Sequence, residues 1–263
     1  NIRYAKGTIN ADGSVTWGAV EQVTKLNTTG FEVKNPSIII KDGQPLIFAD
    51  CNIGMNENSY SSSDKSIIVL GNNPNFTTHS WLNWKFKNVY MVATYYQSSP
   101  SACVAPNGRI WVAWHGIDAT DNARYNIRVA YSDDGGQTWS SMQKLTSGNV
   151  YNQFSPSITA NRNNEIFVLW YGVDGTDSYN DIRMIKYSGG SWGSISTIVA
   201  GTTSDKRYPS TLFDTSIDFS TPLFIYQDNQ NNKVGFYGTW VVTTISVTPG
   251  YIGQKTSADK SNI

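Results

Sequence analysis

The stretch Pro156–Gly172, PSITANRNNEIFVLWYG, has a counterpart of equal length at Pro100–Gly116, PSACVAPNGRIWVAWHG. Each is a short apolar run, a polar turn, and a second apolar run that reaches a tryptophan (Trp170, Trp114) 14 residues after its proline. The opening Pro-Ser pair also occurs at Pro36-Ser37 and Pro209-Ser210, so the four pairs stand 64, 56 and 53 residues apart. The first and last copies keep the same order of parts: PSIII, KDGQ, LIFAD and PSTLF, LFIYQD. A polar loop then leads to a third run: NIRVAYS from Asn126, DIRMIKY from Asp181, KVGFYGTW from Lys233.

These runs are rich in Val, Ile, Tyr, Phe and Trp and are separated by turn formers, which is the pattern of short strands. Several are apolar at every position, so both faces of their sheets are expected to be buried. No segment carries a helical period. A repeated unit of tens of residues made of four short strands predicts an all-β propeller, in which each blade is covered by the next.

The third run of the second full repeat enters Ser132-Asp133-Asp134-Gly135-Gly136-Gln137-Thr138-Trp139, which fits S-x-D-x-G-x-T-W throughout. Asp134 can accept from backbone N–H groups of a tight turn. Gly136 supplies a conformation that other residues resist, and Trp139 can tuck its ring between blades. Weaker copies stand at Asn10–Trp17, NADGSVTW, and Tyr187–Trp192, YSGGSW. The motif resembles the Asp box, or bacterial neuraminidase repeat, of sialidase-like propellers, including those of bacterial and phage surface proteins. The resemblance covers residues 1 to about 240. It implies that Ser132, Asp134, Gly136, Thr138 and Trp139 are structural and lie at the end of the ring away from the ligand.

On this reading residues 1–249 form the propeller. Residues 1–24 are half a blade, and 36–90, 99–145, 155–198 and 208–249 are four further blades. Residues 250–263 form a polar tail. Five blades are expected, with six as the alternative, and the first blade is incomplete. The chain begins at Asn1 without a signal peptide, so it is expected to be a processed product or a fragment, partnered by upstream segments or other subunits.

Composition narrows the function classes. Lys+Arg and Asp+Glu are both 20, so there is no basic excess of the kind nucleic acid would favour. No apolar run is long enough to span a membrane. Cys51 and Cys103 make no disulfide framework and no zinc pattern; two buried thiols are expected, with a bridge between blades as the alternative. Charged residues are only 15% and aromatics 13%, a mixture suited to an extracellular or virion-associated protein.

The ligand end is expected where the loops after the second strands meet the loops between blades. There the repeat places His115, Asp118, Tyr151, Gln153, Tyr171, Asp174, Arg207 and Tyr208. Rings for stacking beside amides and carboxylates suit a glycan or cell-surface polysaccharide. Asp118, Asp121, Asp174 and Asp177 would otherwise cap their own loops, or hold calcium; no other cofactor is expected. The family resemblance implies three arginines on the substrate carboxylate, a Tyr–Glu nucleophile and an acidic Asp, and the match fails. Arg3, Arg128 and Arg183 occupy one repeated place, no Arg-Ile-Pro segment exists, and only Glu21, Glu32, Glu57 and Glu165 are available. The reading is therefore a non-catalytic glycan-binding or adhesion propeller on a phage tail or bacterial surface. The alternatives are a glycoside hydrolase, a polysaccharide lyase using His115 with Tyr171 or Tyr151, and a structural assembly module.

Replacing Asp134 by Ala is expected to strand backbone donors of the turn and lower stability by about 1–3 kcal/mol, with glycan affinity unchanged. Equilibrium unfolding beside a binding titration checks it.

Overall fold

The computed structural model describes all residues except 27–29, 57–58, 122, 149, 177, 212–218, 231–232 and 239–263. The proposed tail at 250–263 and the end of the last proposed blade lie outside the described residues. Every strand pairing is antiparallel, and no α-helix occurs among the described residues.

Four sheets follow one another along the chain. The first joins Val33–Lys41, Gln44–Cys51, Asp64–Gly71 and Lys85–Ala93 in sequential order. The second joins Gln97–Val104, Ile110–Gly116, Asn126–Ser132 and Gln143–Lys144. In the third, Gln153–Ala160, Ile166–Gly172 and Asp181–Ser188 are completed by Ser191–Trp192 and Ser196–Val199. The fourth joins Lys206–Thr211, Phe224–Asp228 and Lys233–Tyr237. Ahead of them, Arg3–Tyr4 pairs Glu21–Gln22, and Gly7–Ile9 pairs Val15–Trp17.

Side chains alternate across a strand, and the alternation explains the unbroken apolar runs. In the first sheet Ile47, Ala49, Ile68 and Leu70 pack with Ile2 and Val23 of the N-terminal segment. The intervening Leu46, Phe48, Ile67 and Val69 pack with Ile110, Val112 and Trp114 of the second sheet. Trp111, Ala113, Ile127 and Val129, on the second sheet's other face, meet Ile158, Ile166, Val168 and Trp170 of the third. Phe167, Leu169 and Ile182 then meet Phe224 of the fourth. Each Val, Leu, Ile or Phe side chain among them taken out of water contributes about 1.5–3 kcal/mol. Cys51 and Cys103 are buried free thiols within these layers.

The first strand of each sheet is an edge strand, and the four edges converge on a central well of about 440 Å³ lined by Ile38, Ile40, Ser101, Val104, Ser157 and Thr211. An edge leaves N–H groups unpaired, and the serines of the first three Pro-Ser pairs meet that need in the next sheet. Ala102 N donates to Ser37 Oγ (3.2 Å), Ile158 N to Ser101 Oγ (3.2 Å), and Thr211 N to Ser157 Oγ (3.0 Å). No strand pairing closes the four sheets into a ring among the described residues.

The turn at Ser132–Trp139 is held by its own side chains. Asp134 Oδ1 accepts from Gln137 N (3.0 Å), Thr138 N (2.9 Å) and Ser132 Oγ (2.8 Å), and Oδ2 accepts from Thr138 Oγ1 (2.6 Å). Gly136 sits at φ 90°, and the Trp139 ring meets Phe48 of the first sheet edge-on at 5.7 Å.

Ser101→Ala removes the acceptor for Ile158 N, a loss expected to cost about 1–3 kcal/mol. It should appear as a lower urea midpoint with an unchanged m-value.

Candidate functional site

The residue before each Pro-Ser pair, Asn35, Ser99, Ser155 and Tyr208, has a positive φ of 47–54°. A non-glycine residue held there costs roughly 1–3 kcal/mol. Each marks a bulge, because the pairing register shifts between Lys34 and Ser37, Ser98 and Ser101, Phe154 and Ser157, and Arg207 and Ser210. The residues just before the bulges face Asp50, His115, Tyr171 and Gln227 on the second strands. Three of these four reach the next bulge. Asp50 Oδ1 accepts from Ser99 N (3.1 Å), His115 Nδ1 accepts from Ser155 N (3.2 Å), and the Tyr171 hydroxyl shares hydrogen bonds with the Ser155 and Tyr208 side chains.

Asp50 is the one carboxylate in this series. It is 4% exposed, and its Oδ1 also accepts from Asn35 Nδ2 (2.8 Å) and Ser98 Oγ (3.4 Å). Burial raises its pKa, opposed by the hydrogen bonds from Asn35 and Ser99 and the charge of Lys34. It lines a pocket of about 460 Å³ with Glu32, Lys34, Tyr96, His115 and Tyr125. Glu32 is exposed and ionised below the usual carboxylate range, because Lys34 Nζ donates to it at 2.6 Å. Lys65 at the same pocket donates to the carbonyls of Asn52 and Ser62. No arginine lines this pocket among the described residues.

The residues singled out from the sequence fall into different settings. His115 lines the pocket, but burial lowers its pKa to about 4 and Ser155 N occupies its Nδ1. Gln153 is fully buried. Its Oε1 accepts from Trp170 Nε1 (2.6 Å) and Arg183 Nη1 (3.3 Å), and its Nε2 donates to the carbonyls of Tyr151 and Val173. Gln97 and Trp114 form the same pair one sheet earlier, at 2.8 Å. Asp118 is tied inside the protein: its carboxylate accepts from Thr120 N, Lys144 and Arg128, and Arg128 is itself fully buried against Asp118 and Asp121. Burial works to raise the Asp118 pKa, but the hydrogen bonds from Thr120, Lys144 and Arg128 hold it well below the usual range. Asp174 caps its loop through Thr176 N (2.8 Å) and accepts from Thr197 Oγ1 (2.9 Å).

Arg207 is paired with Asp205 and lies 6.0 Å from the Tyr171 ring centroid. Burial, and then Tyr208, push the Tyr171 pKa up to about 12. Tyr208 and Tyr151 are exposed. Asp177 lies outside the described residues, and no group of three or more His, Cys, Asp or Glu placed to hold a metal occurs among the described ones.

Asp50 escaped the sequence reading, although it ends the quoted run LIFAD. The hairpin of the first sheet is one residue shorter than the next two, so Asp50 falls out of column with His115 and Tyr171. Only strand register restores the match.

No family model matches the sequence, and no curated protein matches it. Solved structures do. An endo-arabinase from Bacteroides thetaiotaomicron superposes with a TM-score of 0.53 at 13% identity, over 86% of this chain and 83% of that one. An α-L-arabinanase from Penicillium chrysogenum gives 0.55 at 11%, over 84% and 66%. A Hadza microbial sialidase gives 0.51 at 14%, over 75% of this chain but only 42% of its own length. At such identities the likeness is one of fold, and the fold is a β-propeller of the kind shared by sialidases and arabinan-acting enzymes.

The folded pKa of His115, about 4, lies below its ordinary 6.5. The unfolded chain therefore takes up this proton first, and stability is expected to fall as pH drops from 6.5 to 4. His115→Asn keeps an acceptor without titrating in this window. The difference between the two proteins in urea midpoint at pH 7 and pH 4 measures the effect.

Proposed function

We propose that this protein is a glycoside hydrolase acting on a neutral, arabinan-type glycan, with Asp50 as the general acid. The observation that carries this reading is the setting of Asp50. The place it occupies needs only a hydrogen-bond acceptor, as the uncharged His115 illustrates. A carboxyl there suffers desolvation that an imidazole or phenol largely avoids, which favours a chemical reason for it. Burial pushes its pKa up while Lys34 holds Glu32 ionised in the same pocket. Two carboxyl groups driven apart in pKa are the usual division of acid from base or nucleophile in glycoside hydrolysis.

The fold likenesses support the hydrolase over the binding-only reading that the sequence favours, since the arabinan-acting neighbours are enzymes. A neutral substrate is supported by the pocket itself. It has no arginine among its described lining residues, and Lys34 and Lys65 already hold protein partners. Lyase chemistry is less well supported, because His115 is a weak base and Tyr171 holds its proton far above neutral pH.

We read the ring as five-bladed, with the N-terminal strand pairs as the outer half of the fifth blade, because they cover the free face of the first sheet. The self-bonded turn at Asp134 is read as an Asp box. An extracellular or virion-associated location suits a polymeric substrate.

Asp50→Asn is the test, because the amide oxygen can still accept from Ser99 N and preserve the contact between sheets. The variant is expected to stay folded and to lose about 10²- to 10⁴-fold in kcat, measured as reducing ends released from linear arabinan. Undiminished hydrolysis in Asp50→Asn removes Asp50 from the chemistry. A wild type that binds arabinan but never cleaves it returns the protein to the binding-only reading.

A further inference from the structure

A file of aromatic rings leads away from the Asp50 pocket across the same end of the protein. His115 and Tyr125, both on the pocket wall, have ring centroids 5.5 Å apart. Tyr125 lies 5.2 Å from Phe154, Phe154 lies 5.6 Å from Tyr171, and Tyr171 lies 5.1 Å from Tyr208. The file thus passes from the second sheet through the third to the fourth. It draws on each kind of place that the repeat brings to this end: Tyr125 in a loop after a second strand, Phe154 and Tyr208 on first strands beside their bulges, and His115 and Tyr171 at the ends of second strands.

Its members are not equally buried. Tyr171 is 9% exposed, Tyr125 and Phe154 are half-buried, and Tyr208 is 53% exposed. The most exposed ring is the one farthest along the file from the pocket, and it is held there at a positive φ of 49°. A large ring kept exposed on a strained backbone contributes little to the core. Three rings shared with or next to the pocket make the file continuous with the site instead.

We infer that the site takes an extended oligosaccharide, with the bond to be cut beside Asp50 and the following sugar units laid on Tyr125, Phe154 and Tyr208. The inference rests on the pocket being the hydrolase site. Sugars present apolar faces of C–H groups, and rings spaced 5.1–5.6 Å apart give such faces a succession of contacts without any charge. Arg207, 6.0 Å from the Tyr171 centroid, and Asp205, its ion-pair partner, stand beside the far end of the track.

The probes are linear arabino-oligosaccharides from the disaccharide to the hexasaccharide, titrated calorimetrically into Asp50→Asn so that none is consumed. Affinity is expected to rise with length. Adding Tyr208→Ala should weaken the hexasaccharide about five- to tenfold and leave the disaccharide unchanged, while Tyr208→Phe, which keeps the ring, should match the parent. Circular dichroism and urea unfolding of each variant establish that the comparison is between folded proteins. Affinity independent of length, an equal loss for the disaccharide and hexasaccharide, or no binding at any length overturns the track. Hydrolysis of arabinan by the wild type is scored separately. Length-dependent binding without cleavage keeps the track and refutes the hydrolase; cleavage without length dependence does the reverse.

Discussion

The structure depends on satisfying the free edge of each innermost strand. A sheet whose first strand faces a central well leaves a row of backbone donors with no partner in its own sheet. The Pro-Ser pairs solve this locally: a serine in one sheet accepts a backbone N–H from the first strand of the next, three times in succession. The bond is short-range and directional, so it sets the height of each sheet against its neighbour. Apolar burial between faces supplies most of the stabilisation, yet it is non-directional and would tolerate sliding.

The same edge creates the site. A positive-φ residue before each proline bulges the strand; at the second and third sheets the N–H of that residue is received by Asp50 or His115 of the preceding sheet, and at the fourth the Tyr208 side chain meets the Tyr171 hydroxyl. One structural position is therefore filled by an acid, an imidazole and a phenol in successive sheets. The frame uses this position to bond the next bulge and leaves its chemical kind free, so function can be introduced by exchanging one residue without rebuilding the fold. Strain concentrated at four equivalent bulges on one end fits the tendency of costly backbone to gather where ligands bind.

Several polar residues that look like ligand groups in the sequence serve the frame instead. Gln153 and Gln97 hold tryptophan indoles inside their sheets. Asp118 and Asp121 neutralise the buried Arg128. A buried guanidinium without those carboxylates would carry an uncompensated charge, so this network is required wherever the arginine is kept.

The repeat, the short strands and their order, the burial of both sheet faces and the turn around Asp134 are legible in the sequence, because each is set by neighbours a few residues apart and by side-chain alternation along a strand. The loop tyrosines and His115 are likewise legible as belonging to one end, since the repeat places them there. Asp50 and the file of rings are not. Asp50 is displaced by the shorter Asp42–Gly43 hairpin, so spacing hides its kinship with His115 and Tyr171. The rings of Tyr125, Phe154, Tyr171 and Tyr208 come from separate strands and loops across an 84-residue span of sequence. Which of them touch is decided by the tilt and height of one sheet against the next. Those are fixed by hydrogen bonds between sheets; the Pro-Ser pairs mark the serines that accept them, but the local pattern does not state which backbone N–H of the next sheet is the donor.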